Sequence, residues 1–256
     1  MNSHRQSGPW SSELSIVVPA YNEAGNLPAL LDEIDDALRD VDHEIICVDD
    51  ASDDGTDAVL AACGATRPHL RVLRHRLRSG QSAALRSGVK AARAEWIATL
   101  DGDGQNDPAD LPRLLRARAE AGADVRLLAG WRVKREDSAG KRWASRFANT
   151  LRARLLHDAT PDTGCGIKLF EREAFLELPA FDHMHRYLPA LMQRAGWRTL
   201  SVPVNHRPRL HGRSKYDNLS RALVGISDLR GMLWLLRRSA CAVADERITR
   251  DLEVLP

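Results

Sequence analysis

Apolar runs of strand length alternate with stretches of helical spacing through the first hundred residues, and this confines the chain to a layered α/β fold. Residues 14–19, Leu14-Ser15-Ile16-Val17-Val18-Pro19, are rich in β-branched side chains and stop at proline, as a buried strand does. Residues 22–38 then place Leu27, Leu30, Leu31, Ile34 and Leu38 at helical spacing. Residues 44–48 read as a second strand, and residues 56–62 begin a helix with acidic residues near its N-terminus. Further strands are expected at 70–74 and 96–100, with a helix at 82–92 between them. Such alternation implies a Rossmann-like, mostly parallel sheet with right-handed crossovers, in which ligands sit beyond the carboxyl ends of the strands. The loops that start near Pro19, Asp49 and Asp101 therefore share one rim.

One of these loops, Asp101-Gly102-Asp103-Gly104-Gln105, sets two carboxylates and an amide oxygen at alternate positions. Small residues between them let all three oxygens converge on a hard divalent cation, although Asp and Gly also make ordinary solvated turns. Other chemistries are excluded by what stands at the expected places. A dinucleotide site needs GxGxxG after the first strand, where this chain has Pro19-Ala20-Tyr21-Asn22-Glu23, and there is no GxxxxGK[ST] phosphate loop. Cys47, Cys63, Cys165 and Cys241 form no CxxC pair, which argues against zinc or disulfide frameworks and fits a reducing cytosol.

At 256 residues with 43% hydrophobic content, the chain can bury a real core as one large domain or two small ones. We expect a single domain over 14–217, a loose polar tail at 1–13, and a C-terminal amphipathic helix and tail at 218–256. The tail lacks the apolar core of a secretory signal, and Asp228 and Arg230 interrupt an apolar segment at 222–236 that is too short to span a bilayer. The net charge of +2 hides basic clusters at 132–154 and 207–215, which suit anionic partners.

Three ordered motifs raise the specificity of this reading. Val18-Pro19-Ala20-Tyr21-Asn22-Glu23, then Val48-Asp49-Asp50-Ala51-Ser52-Asp53-Asp54-Gly55-Thr56, then Asp101-Gly102-Asp103-Gly104-Gln105-Asn106-Asp107-Pro108 resemble the family 2 glycosyltransferases of GT-A fold. More narrowly, the chain is similar to the branch containing dolichyl-phosphate mannose synthase and bacterial polyprenyl-phosphate relatives. The resemblance implies that Pro19, Tyr21 and Glu23 hold the nucleoside of a sugar donor, with Asp50 and Asp49 accepting hydrogen bonds from base or ribose. It implies that Asp101, Asp103 and Gln105 coordinate Mg²⁺ or Mn²⁺ on the donor diphosphate.

The second half is less explicit. Arg132-Val133-Lys134-Arg135 follows a strand expected at 125–130 and matches a family position where arginine reaches phosphate. Residues 139–157 carry a stripe of Trp143, Phe147, Leu151 and Leu155 amid basic residues, a pattern open to two readings: a helix in a membrane interface or an ordinary core helix. Asp162-Thr163-Gly164-Cys165-Gly166-Ile167-Lys168 resembles a family segment with Lys168 where arginine is usual, and Asp162 either contacts sugar or caps a turn. His183 and His185 read as packing or surface residues rather than metal ligands. After a strand at 198–204, a basic loop resembles the family's mobile segment, which makes Arg209, Ser214 and Lys215 candidates for closing over phosphates.

The activity so implied is inverting, metal-dependent sugar transfer from GDP-mannose or a UDP-hexose to a polyprenyl phosphate. The implied catalytic groups are Asp101, Asp103, Arg132, Arg209 and Lys215, with Lys168 and Ser214 on the ligands. The expected location is cytoplasmic, peripheral on the inner membrane's cytoplasmic face or beside a membrane-spanning partner. No nucleic acid is expected, since only Tyr216 offers a stacking aromatic in the basic loop. Two other readings stay open: a soluble family 2 enzyme acting on a hydroxyl acceptor, and a silent nucleotide-binding protein.

Overall fold

A computed structural model describes residues 13–133, 152, 154–156, 158, 160–208 and 218–238. The strands are β1 (Leu14–Ala20), β2 (His43–Asp49), β3 (Leu70–Arg74), β4 (Trp96–Thr99), β5 (Val125–Arg132), β6 (Lys168–Glu171) and β7 (Arg198–Val204). They form one sheet in the order β3-β2-β1-β4-β6-β5-β7. Every neighbouring pair is parallel except those of β6, which runs antiparallel to both β4 and β5. The order reverses at β1, where β2 lies on one side and β4 on the other, and this is where a doubly wound sheet opens its crevice.

Both faces of the sheet are covered, so its central strands are apolar on both sides. On β1, Ile16 and Val18 face Leu27, Leu30, Leu31 and Ile34 of α1 (Leu27–Ala37), joined by Leu60 of α2 (Thr56–Gly64) and Leu114 of α4 (Leu111–Glu120). Val17, of opposite pleat, joins Leu85 and Val89 of α3 (Gln81–Ala91), Phe175 of α5 (Arg172–Leu176), Leu191 of α6 (Leu188–Arg194) and Met232 of α7 (Asn218–Leu236). Gly88 sets the α3–β1 spacing, because a Cβ there would stand 2.4 Å from Val17 Cγ1. The Arg194 guanidinium donates to the Leu235 carbonyl, which ties α7 to α6.

The elements differ from the sequence expectation in several places, and α4, α5 and α6 are additional to it. The first helix starts at Leu27 rather than residue 22, because residues 22–26 form a loop with Asn22 in the left-handed region at φ 55°. The second helix runs on to Gly64. β6 was not expected; it begins at Lys168, the last residue of a segment assigned to ligand binding. No helix among the described residues is long and apolar enough to cross a membrane. Cys47, Cys63 and Cys165 are free and buried; burial pushes the Cys47 thiol up to about 12, which leaves it inert. Cys241, the 1–12 tail, Trp143, Phe147 and Leu151 of the basic stripe, and Arg209, Ser214 and Lys215 lie outside the described residues.

Candidate functional site

The loops after β1, β2 and β4 meet at the carboxyl edge of the sheet and line a cleft of about 960 Å³. The first two loops are bolted together by side chains of their own motifs. The Asn22 amide N–H donates to Ser52 Oγ at 2.9 Å, the Glu23 N–H to Thr56 Oγ1 at 3.1 Å, and the Ala24 N–H to Asp54 Oδ2 at 3.2 Å. Asn22 and Asp53 add a reciprocal pair, with Asn22 Nδ2 donating to Asp53 Oδ1 and the Asp53 N–H to Asn22 Oδ1. Much of the second motif is thus spent on holding the rim in shape.

The third loop is acidic and tightly cradled. The Asp101 N–H donates to Asn106 Oδ1 at 3.0 Å, and Gln81 Nε2 donates to Asp101 Oδ1 at 2.7 Å. Asp103 is buried and accepts from the Gln105 N–H at 3.1 Å, and Gly104 takes φ 71° to complete the turn. Burial and the charge of Asp103 push the Asp101 carboxyl up to about 6. Gly166 is required beside it, because a Cβ there would stand 2.2 Å from Asp101 Oδ2 and 2.5 Å from Asn106 Oδ1. Two carboxylates that repel one another in a closely fitted cradle suit a dication, which would relieve the repulsion. Asp101, Asp103 and Gln105 all line the cleft, where their oxygens could hold it.

The other candidates reach the cleft with partners that sequence spacing did not reveal. Pro19, Tyr21, Glu23, Asp50, Arg132 and Lys168 line it. Asp49, fully buried at the end of β2, instead accepts from the Ser52 N–H at 2.9 Å. The Asp50 carboxylate accepts from the Ser79 and Gly80 N–H groups at 2.8 Å each and lies 2.7 Å from His75 Nδ1, so it anchors the 75–80 loop. Glu23 Oε2 accepts from Asn26 Nδ2 at 2.6 Å. The Tyr21 ring carries the Arg78 guanidinium 4.1 Å from its centroid.

Arg132 and Asp162 form a two-point ion pair, with Nε donating to Oδ2 at 2.6 Å and Nη2 to Oδ1 at 3.0 Å. The arginine fork expected for phosphate is therefore engaged by Asp162. Lys168, on β6, is buried with its ammonium donating to the Cys165 carbonyl, and burial lowers its pKa. His185 is packed against Ser82, with Nδ1 2.7 Å from its Oγ. Sequence reasoning missed Arg78 and Gln81; the glycine between them, Gly80 at φ 88°, was the available signal of a loop-to-helix rim.

A second tier props the acidic loop. Asp110 accepts from the Asn205 N–H at 2.6 Å, the Arg207 N–H donates to the Gln105 carbonyl at 3.1 Å, and Arg207 Nη2 donates to the Asn106 carbonyl at 2.9 Å. The segment leaving β7 thereby fixes the loop's height above the sheet.

The family model "Glycosyl transferase family 2" matches residues 15–178. The chain is 34% identical over 239 residues to dodecaprenyl-phosphate galacturonate synthase of Rhizobium johnstonii, covering 90% of this chain and 69% of that protein. It is 38% identical over 208 residues to undecaprenyl-phosphate 4-deoxy-4-formamido-L-arabinose transferase of Pseudomonas syringae, covering 80% of this chain and 60% of that protein. The chain thus spans 60 to 69% of the length of these relatives. Glucosyl-3-phosphoglycerate synthase from Mycobacterium tuberculosis, solved with UDP, superposes with TM-score 0.65 at 19% identity over 87% of this chain and 80% of that one. Mannosyltransferase PcManGT from Pyrobaculum calidifontis, solved with GDP-Man and Mn²⁺, gives TM-score 0.58 at 24% identity over 80% and 59%. These likenesses establish the GT-A fold.

Proposed function

The chain belongs to glycosyl transferase family 2, and from that premise we propose that it transfers a sugar, with inversion, from a nucleotide-diphosphate donor to the phosphate of a polyprenyl carrier. The observation that carries the reading is the Asp101–Asp103 pair at the rim of the three-loop cleft. The acceptor class follows the two relatives, both named for transfer to a polyprenyl phosphate. The donor is GDP-mannose or a UDP-hexose.

Asp101, Asp103 and Gln105 hold Mg²⁺ or Mn²⁺, which when bound offsets the charge that develops on the departing nucleotide diphosphate. Tyr21, with Arg78 over its ring, and the loop anchored by Asp50 wall the nucleoside end of the cleft. Lys168 places positive charge beside the acidic loop, and the Arg132 guanidinium, paired with Asp162, lines the same cleft. Arg209, Ser214 and Lys215, outside the described residues, are assigned to the phosphates of donor and acceptor by the family resemblance alone. An acceptor phosphate is already anionic near neutral pH, so positioning and charge neutralisation suffice and no general base is required. Contact with the membrane surface that holds such a carrier falls to exposed Ile226 and Trp234 of α7, with Arg230, Arg237 and Arg238 around them.

The test is incubation of purified protein with labelled GDP-mannose or UDP-hexose, a divalent cation and polyprenyl phosphate. Label entering the lipid phase with wild type and not with Asp103→Ala is expected. Absence of lipid label with every donor would overturn the acceptor, and label on a water-soluble hydroxyl compound would favour the rival transfer.

A further inference from the structure

At the edge of the sheet opposite the cleft, three side chains from α1, the start of β2 and the residue preceding β3 converge. Asp35, His43 and His69 bring one carboxylate oxygen and two imidazole nitrogens within 4.8 Å of one another. β2 begins at His43 and ends at Asp49, so the cluster lies roughly 20 Å from the rim at about 3.3 Å per strand residue. It is therefore separate from the Asp101–Asp103 site.

The ring orientation of His43 is set by its neighbours. Its Nδ1 lies 2.9 Å from the Val41 carbonyl, an acceptor only, so Nδ1 carries a proton and Nε2 is the nitrogen turned towards Asp35. That Nε2 is buried, has no hydrogen-bond partner, and sits 3.5 Å from Asp35 Oδ1 on a side chain only 10% exposed. An imidazole nitrogen and a carboxylate oxygen facing each other in a buried place need a positive occupant between them, a proton or a metal ion. His69 Nε2 approaches the same Oδ1 at 2.8 Å. Arg67 Nε donates to the other oxygen, Oδ2, at 2.9 Å while its Nη2 pairs with Asp32, so the carboxylate is turned with Oδ1 towards both imidazoles.

We propose that Asp35, His43 and His69 form a second metal site, specific for a borderline dication such as Zn²⁺ rather than Mg²⁺. Two imidazoles and one carboxylate are a set that Zn²⁺ accepts in four-coordinate geometry, with the fourth place left to water. At metal–ligand distances of about 2.0–2.1 Å, tetrahedral ligand atoms stand roughly 3.4 Å apart: the His43–Asp35 separation of 3.5 Å is close to this, the His69–Asp35 separation of 2.8 Å must open by about half an ångström, and the two imidazole nitrogens, within 4.8 Å of one another, must come to the same spacing. The Val41 carbonyl on His43 and Arg67 on Asp35 supply the outer hydrogen bonds that orient metal ligands. Side-chain exposures of 30% for Asp35 and 33% for His69 give the ion a way in. A bound ion would clamp α1 to the edge strand β3 and to β2 at the end of the sheet away from chemistry.

The experiment uses full-length protein stripped with chelator and titrated with Zn²⁺ or with Co²⁺ as its visible reporter, in the presence of excess Mg²⁺. One equivalent retained against Mg²⁺ is expected, with a ligand-field band for Co²⁺ and a rise in melting temperature. Asp103→Ala should keep this uptake; His43→Gln and His69→Gln should each weaken it about tenfold or more while leaving Mg²⁺-dependent transfer in place. Nε2 resonances of two histidines should shift on adding Zn²⁺ to wild type, a readout independent of any variant. Unmoved resonances, or uptake unchanged by both substitutions, would overturn the site and leave a proton shared with Asp35 as the occupant.

Discussion

Replacing Asp101 by Asn separates what the site costs the fold from what it gives to function. The Asp101 carboxyl is raised from 3.8 to about 6 by burial first and by Asp103 second. A carboxyl with a raised folded-state pKa stabilises the fold fully below its unfolded pKa, and the contribution is lost as pH rises through about 6. At pH 7.5 the metal-free protein therefore bears the whole penalty, at most about 3 kcal/mol for roughly two pH units at 1.36 kcal/mol each. Asp101 is only half-buried and one side faces the open cleft, so solvent screening reduces this to about 1–2 kcal/mol. Asn keeps an oxygen for the Gln81 amide and removes the repelling charge. Metal-free Asp101→Asn should melt roughly 2–8 °C above metal-free wild type at pH 7.5, at about 2–4 °C per kcal/mol for a chain this size. The gap should narrow towards pH 4.5, and both the Mn²⁺-induced rise in melting temperature and transfer should be lost. Differential scanning fluorimetry across pH, with and without Mn²⁺, reads all three. A variant no more stable than wild type at pH 7.5, or one that still responds fully to Mn²⁺, would refute the reasoning.

Gly166→Ala should abolish transfer and the Mn²⁺ response although no charge changes, since its Cβ would displace Asp101 Oδ2; a calorimetric Mn²⁺ titration checks it. Arg132→Ala leaves Asp162 buried without its two-point partner and should cost about 3 kcal/mol in a urea melt, whereas Arg132→Lys, which keeps the charge, should cost less. Glu44 is opposed by burial but held below the usual carboxylate range by Ser15, Arg71 and the Arg93 N–H. Its stabilisation is present above its unfolded pKa and lost as pH falls through the lower folded value, so Glu44→Gln should flatten the acid limb of the stability curve measured by urea melts. Asp50→Asn should loosen the 75–80 loop, seen as faster amide exchange at Ser79 and Gly80 and weaker donor binding.

The parts of the fold legible in the sequence are those set by local periodicity. β1 to β5 and β7, with α1, α2 and α3, were written in apolar runs of strand length and in apolar residues at helical spacing, whereas α4, α5 and α6 were not anticipated, and the convergence of three loops followed from parallel topology. β6 was illegible because four residues, one of them the lysine of a ligand-binding segment, leave no alternation to read, and its antiparallel direction depends on contacts far away in the chain. The site divides along the same line. Asp101, Asp103 and Gln105 could be placed on the cleft from sequence because oxygen-bearing side chains at alternate positions of one tight loop are a local pattern. The roles of Asp50 and Arg132 could not, because the groups that engage them, Ser79 and Gly80 in one case and Asp162 in the other, lie 29, 30 and 30 residues away. Asp35, His43 and His69 carry the same lesson further: spread over 34 residues with no motif spacing, they become a constellation only where α1 meets the edge of the sheet. Spacing shows which side chains can reach a rim, and tertiary packing decides which of them remain available to a ligand.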